Sequence, residues 1–197
     1  MVPSDPTPAT PPRFVVAVTA SAGGLRALSE LLAALPTDFP AAVVIVQHID
    51  PRHRSMLAEI LARKTTLSVK QAEEGDLLTC GVVYIAPPDR HLLVNPDATL
   101  SLSRSELVHF VRPSGDLLFE SVAASFKTHA VAVILTGTGS DGSMGAQAIK
   151  RMGGKVIAQN QATAEFSGMP EAAVRAGVVD FELPLGDIAG VLEGIVR

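Results

Sequence analysis

With 197 residues, 47% of them hydrophobic but broken up by turns and charges, the chain is sized for one α/β domain and lacks the run of about 20 apolar residues that a membrane-spanning helix needs. A net charge of −4, without a basic and aromatic-rich stripe, argues against nucleic acid as the main partner. The single cysteine, Cys80, excludes an intrachain disulfide and a cysteine-cluster metal site, and it fits a reducing, cytoplasmic compartment.

Residues 1–13 are proline-rich, with neither a basic start nor an apolar centre. They read as a tail or linker rather than a secretory signal, ahead of a single domain over residues 14–197. The β-branched run 14–19 predicts a buried strand, and Leu25, Leu28, Leu31, Leu32 and Leu35 predict an amphipathic helix. Between them lies Ala20-Ser21-Ala22-Gly23-Gly24, a turn that sets a hydroxyl at the carboxyl end of a strand and the amino end of a helix. Open parallel sheets place ligands there, and the unpaired N–H groups of a first helical turn carry partial positive charge. Ser21 is therefore a candidate nucleophile, although serine is also a favoured helix cap.

Residues 41–48 predict a second buried strand ending on His48. Because a strand–helix–strand unit is right-handed and parallel, Ser21 and His48 are expected on the same edge of the sheet. Asp50-Pro51-Arg52 is turn material, and residues 55–64 predict a helix with Met56, Leu57, Ile60 and Leu61 on one face. From 67 to 103 short alternating pieces, 82–86, 91–94 and 99–102, are split by Pro87-Pro88-Asp89 and Asn95-Pro96-Asp97, an antiparallel hairpin excursion. Cys80 is expected to pack beside Val82 and Val83.

A helix opens at Pro113-Ser114-Gly115-Asp116, with Asp116 expected to stabilise its start, and 130–136 is the clearest buried strand. The glycine-rich turn 137–145 follows, then a helix over 146–152, a strand over 155–159, a helix over 169–176, an edge strand over 178–183 and a closing helix over 186–196. The alternation predicts a doubly wound, mainly parallel, Rossmann-like three-layer sheet with an antiparallel hairpin insert.

Two chemistries compete for these turns. Gly137-x-Gly139-x-x-Gly142 matches the dinucleotide-binding fingerprint in outline. Against it, Asp141 sits where pyrophosphate would go, and no acid follows the next strand near Gln159-Asn160. In the other reading Ser21, His48 and Asp141 all lie at the carboxyl edge as nucleophile, base and orienting acid. Ser21 Oγ is then expected near hydrogen-bond reach of His48, with Asp141 on the other ring nitrogen. His53, His109 and His129 read as surface or satisfied histidines, His91 as structural or lining the cleft mouth. No metal-ligand pattern is present in the sequence.

Ser21-Ala22-Gly23-Gly24, Val46-Gln47-His48, Tyr84-Ile85-Ala86-Pro87-Pro88-Asp89-Arg90-His91, Arg112-Pro113-Ser114, Leu135-Thr136-Gly137-Thr138-Gly139-Ser140-Asp141-Gly142, and Ala158-Gln159-Asn160 with Gly168-Met169-Pro170 run in one order. Together they resemble the catalytic domain of the CheB protein-glutamate methylesterase family over nearly all of 14–197. The resemblance implies Ser21 as nucleophile, His48 as base and Asp141 as orienting acid, with oxyanion donors from the amides of Ala22 and Thr138. It also implies a cofactor-free serine hydrolase acting on glutamyl methyl esters of chemoreceptor helices or another methylated protein, with glutamine deamidation as a related activity. The chain departs from the family at Thr19, Thr138 and Val111, which bear on substrate choice. The resemblance does not extend to the receiver domain that usually precedes this unit, so control by phosphorylation in cis is not expected. A nucleotide-binding module and a non-catalytic signalling interaction domain remain alternatives, and the oligomeric state is left open.

Overall fold

In the computed structural model, which describes residues 11–49 and 55–197, seven strands form one wholly parallel sheet. They are β1 (Phe14–Ala20), β2 (Ala41–Gln47), β3 (Ser68–Gln71), β4 (Val82–Ile85), β7 (Ala130–Ile134), β8 (Lys155–Gln159) and β9 (Phe181–Leu183), in the order β3-β4-β2-β1-β7-β8-β9. Strands β5 (His91–Val94) and β6 (Leu100–Ser103) pair antiparallel as a separate two-stranded sheet.

The long apolar runs become central strands because both faces of the sheet are covered. Alternate residues of each strand go to opposite sides. Val16, Val18, Val43, Ile45, Val131 and Val133 meet the apolar stripes of α1 (Gly24–Ala34) and α6 (Leu185–Val196), together with Leu57 and Leu61 of α2 (Leu57–Ala62). Val15, Ala17, Val44, Val46, Ala132 and Ile134 meet the other side. There α3 (Gly115–Phe126), α4 (Ser143–Arg151), α5 (Gly168–Arg175) and the β5–β6 hairpin complete the third layer.

The chain leaves β1 for β2 on one side, and β7 later adds to β1 on the other. The strand order therefore reverses at β1, opening a crevice at the carboxyl ends of β1 and β7, where doubly wound sheets hold their ligands. Ser21 and the 137–142 turn lie at that edge.

Several details differ from the sequence-based expectation. β4 belongs to the main sheet, because Val83, Tyr84 and Ile85 are buried between the two layers. β3 is an edge strand hidden by its mixed polarity. Helix α2 is shorter than 55–64, since the Ser55 hydroxyl accepts the Leu57 N–H and holds Ser55 outside the helix. Cys80 is exposed in the turn before β4 instead of packing with Val82 and Val83. The turn expected at 50–52, and His53, lie outside the described residues, as do residues 1–10 of the proline-rich tail.

Candidate active site

Ser21 leaves β1 in a turn held from three sides. Its N–H donates to Thr136 O at 3.0 Å, tying it to β7. Its carbonyl accepts Gly24 N–H at 2.9 Å and Gln47 Nε2 at 2.8 Å. Gln47 Nε2 also reaches His48 O at 3.0 Å, and His48 N–H donates to Ala20 O at 3.1 Å. The buried glutamine thus fixes the two turns that carry Ser21 and His48 against each other. Gly23, with φ 76°, takes the left-handed conformation that opens α1.

The β7 turn approaches Ser21 so closely that glycine is required. A Cβ on Gly137 would stand 2.8 Å from Ser21 Cβ and 2.2 Å from Met169 Sδ. The turn is backed by Gly137 N–H to Phe166 O at 2.8 Å, Met169 N–H to Gly137 O at 2.9 Å, and Thr136 N–H to Gln159 Oε1 at 2.9 Å. Among the described residues, no hydrogen bond takes up the N–H of Ala22 or Thr138. Among those residues both expected oxyanion donors are unpaired.

Asp141 lies 4% exposed, with Oδ2 2.8 Å from His48 Nε2. The rest of its carboxylate faces the amino end of α3. Ser114 Oγ donates to Oδ1 at 2.8 Å, Asp116 N–H to Oδ1 at 3.1 Å, and Gly115 N–H to Oδ2 at 2.6 Å. A helix start is suited to a carboxylate because its first N–H groups are unpaired and its dipole favours negative charge. Burial pushes the Asp141 carboxyl up, but the His48 and amide hydrogen bonds outweigh it and hold it below the ordinary carboxylate range. Gly115 is required too, since a Cβ there would lie 2.5 Å from Thr19 Oγ1.

The His48–Asp141 half of the expected trio is therefore formed, and it is formed through Nε2. In the familiar serine-protease arrangement the carboxylate holds Nδ1 and Nε2 does the proton transfer. Here Nδ1 is the nitrogen left over. The Ser21 hydroxyl makes no hydrogen bond among the described residues, as is common in sites without substrate. A cavity of about 510 Å³ opens beside Ser21, against Leu25, Arg26, Gln47, Ile60 and Lys64.

Matches to known proteins agree with this geometry. The CheB methylesterase family model matches residues 16–192. The chain belongs to the CheB methylesterase family. It is 42% identical over 174 residues to a putative protein-glutamate methylesterase/protein-glutamine glutaminase of Leptospira interrogans, covering 88% of this chain and 90% of that protein. A protein-glutamate methylesterase/protein-glutamine glutaminase of Methanosarcina mazei is also 42% identical, over 94% of this chain but only 52% of its own length. The crystal structure of the Thermotoga maritima CheB methylesterase catalytic domain superposes with a TM-score of 0.89 at 38% identity, covering 93% of this chain and 98% of that one.

Within this CheB-family fold, the remaining expectations sort cleanly. His91 is buried, with Nε2 3.0 Å from Glu106 O, and is structural rather than cleft-lining. His129 Nε2 accepts from Arg13 Nε and packs edge-on against Phe14, away from the crevice. His109 lies 3.8 Å from Asp116 Oδ2. Asp116 does more than open α3: its Oδ1 accepts Gly145 N–H at 2.8 Å and pins α3 to α4. Ser114, Gly115 and Gln47 were not singled out from sequence as site-builders. Their signal was polar or small residues at strand and helix ends, which a site needs but many turns also carry. Among the described residues no cluster of His, Cys, Asp or Glu is arranged to hold a metal ion, and no helix is long and apolar enough to cross a membrane.

Proposed function

We propose that this chain is a protein-glutamate methylesterase in which Ser21 is the nucleophile, His48 the general base and Asp141 the group that orients and charges the imidazole. The observation that carries the reading is the pair of half-buried His48 and buried Asp141, 2.8 Å apart at the β1/β7 crevice where the Ser21 turn sits. Ser21 Oγ attacks the γ-carbonyl of a glutamyl methyl ester while His48, through Nδ1, takes its proton. The oxyanion that forms is met by the N–H groups of Ala22 and Thr138. Collapse expels methoxide, which takes the proton from His48 and leaves as methanol. Water then repeats the sequence on the acyl-enzyme, releasing glutamate and restoring Ser21. A glutamine side chain follows the same route with ammonia leaving, the second activity in the names of the Leptospira and Methanosarcina relatives.

The substrate is a methylated protein, of which chemoreceptor helices are the expected class, met in the cytoplasm. A nucleotide has no place in the 137–142 turn, because Asp141 fills it as an anion already held by His48 and α3. The test is methanol release from a methylated receptor fragment, with Ser21→Ala as blank. Release above the blank is expected. Its absence across several receptor fragments, with the protein correctly folded, favours a non-catalytic interaction domain.

A further inference from the structure

Part of the lining of the cavity beside Ser21 is not used by the hydrolysis itself. It runs from the Ser21 turn over the first turn of α1 and the exposed end of α2, where Leu25 and Ile60 stand 44% and 37% exposed. Arg26 and Lys64 border it, both exposed and neither in an ion pair among the described residues. No carboxylate lines it, although the chain carries 20 acidic residues against 16 basic ones. Several other cations are paired, as in Lys70–Asp76, Arg112–Asp89 and Lys150–Asp180, whereas Arg26 and Lys64 face a cavity with their charge uncompensated by its lining. Its volume of about 510 Å³ is room for several side chains, more than one glutamyl ester fills.

We propose that Arg26 and Lys64 form an acidic-peptide subsite, selecting substrate segments with carboxylates flanking the scissile ester while Leu25 and Ile60 take an apolar neighbour. This rests on the methylesterase reading of Ser21 and names the substrate chemistry of that site. The charge balance of the reaction gives the subsite a consequence. Each hydrolysis turns a neutral ester into a carboxylate, so a segment with several esters becomes a better ligand for Arg26 and Lys64 as its neighbours are cleaved. A flanking glutamate, the product of an earlier turnover, therefore speeds removal of the next methyl group.

The test uses two peptides of one sequence around a single glutamyl methyl ester, with flanking glutamates in one and glutamines in the other. Methanol release at low peptide concentration should favour the glutamate-flanked peptide about fivefold, the effect of two exposed ion pairs, and chiefly through KM. The preference should shrink in 1 M salt, where the screening length falls to about 3 Å. It should vanish in the Arg26→Gln/Lys64→Gln protein and reverse in Arg26→Glu/Lys64→Glu with lysine flanks. Circular dichroism checks that these surface variants fold, and each single variant should remove part of the preference. Equal rates on the two peptides, or a preference that survives the double substitution, overturn the proposal. Fluorescence anisotropy of the two demethylated peptides on the Ser21→Ala protein reads the subsite without chemistry. Preferential binding of the acidic peptide with no methanol release in the unsubstituted protein would refute the hydrolase and keep the subsite. Equal binding would refute the subsite whatever the chemistry.

Discussion

Ser114→Ala removes one of the four hydrogen bonds on Asp141 and changes nothing else of comparable size. Ser114 is fully buried and Asp141 4% exposed, so solvent does not replace the lost donor. A hydrogen bond to a charged group contributes about 1.5–3 kcal/mol, and because it favours the ionised carboxylate its loss raises the Asp141 pKa. Asp141 titrates below its unfolded value, so its ionised form contributes stability that is present above the unfolded pKa and lost as pH falls through the folded one. The variant should therefore be about 2 kcal/mol less stable at neutral pH, and the gap should close progressively below about pH 4 as the carboxylate of both proteins is protonated. Urea melts across pH with a shared m-value measure it. A gap that is the same at pH 3 and pH 7 would show that Ser114 acts through packing alone and refute the reasoning.

Asp116 behaves oppositely. Burial pushes its carboxyl up against the Gly145 hydrogen bond, nearby Asp141 adds to the rise, and Oδ2 has no hydrogen-bond partner. A raised carboxyl costs stability as pH climbs from its unfolded value through its folded one, so Asp116→Asn, which keeps the acceptor for Gly145, should gain about 1 kcal/mol at pH 7 and nothing near pH 3. A loss in thermal melts at pH 7 would contradict this. In the Val108–Val111 turn, His109 and Phe110 have φ of 48° and 65°, and Phe110 is 93% exposed. Phe110→Gly should relieve strain and raise stability by up to about 1 kcal/mol after the entropy of the more flexible unfolded chain is counted. Gly24→Ala puts a Cβ 2.0 Å from Gln47 Oε1, so Gln47 must release the Ser21 and His48 carbonyls. Ester hydrolysis should fall by more than about tenfold, with a cost of roughly 1–3 kcal/mol in stability. The effect should be less than additive with Gln47→Ala in a double-mutant cycle.

Much of the fold was legible because its physics is local. The runs at 14–19, 41–48, 130–136 and 155–159 are apolar and β-branched except at their ends, the pattern of strands covered on both faces. β3 is not legible in the same way, because Ser68-Val69-Lys70-Gln71 is an edge strand, half solvated and without that signature. Ser21, His48 and Asp141 are legible because each lies in the turn that follows a strand at the carboxyl edge. The groups that hold them could not. Ser114 meets Asp141 from 27 positions away and Gln47 spans two turns through one amide. Such contacts depend on how α3 docks, which no spacing in the sequence encodes. Which imidazole nitrogen faces the carboxylate was equally invisible, since it depends on the angle at which the chain leaves β2.

We propose that Ser21 becomes acylated as methanol leaves. A rapid-quench experiment with a glutamyl methyl ester peptide measures both, methanol in solution and the mass of the Ser21 peptide. One methanol per acylated Ser21 in the first turnover is predicted, with neither formed by Ser21→Ala and both slowed by several orders of magnitude in His48→Ala. Methanol release that persists in Ser21→Ala, or acylation mapped to another side chain, would contradict the account.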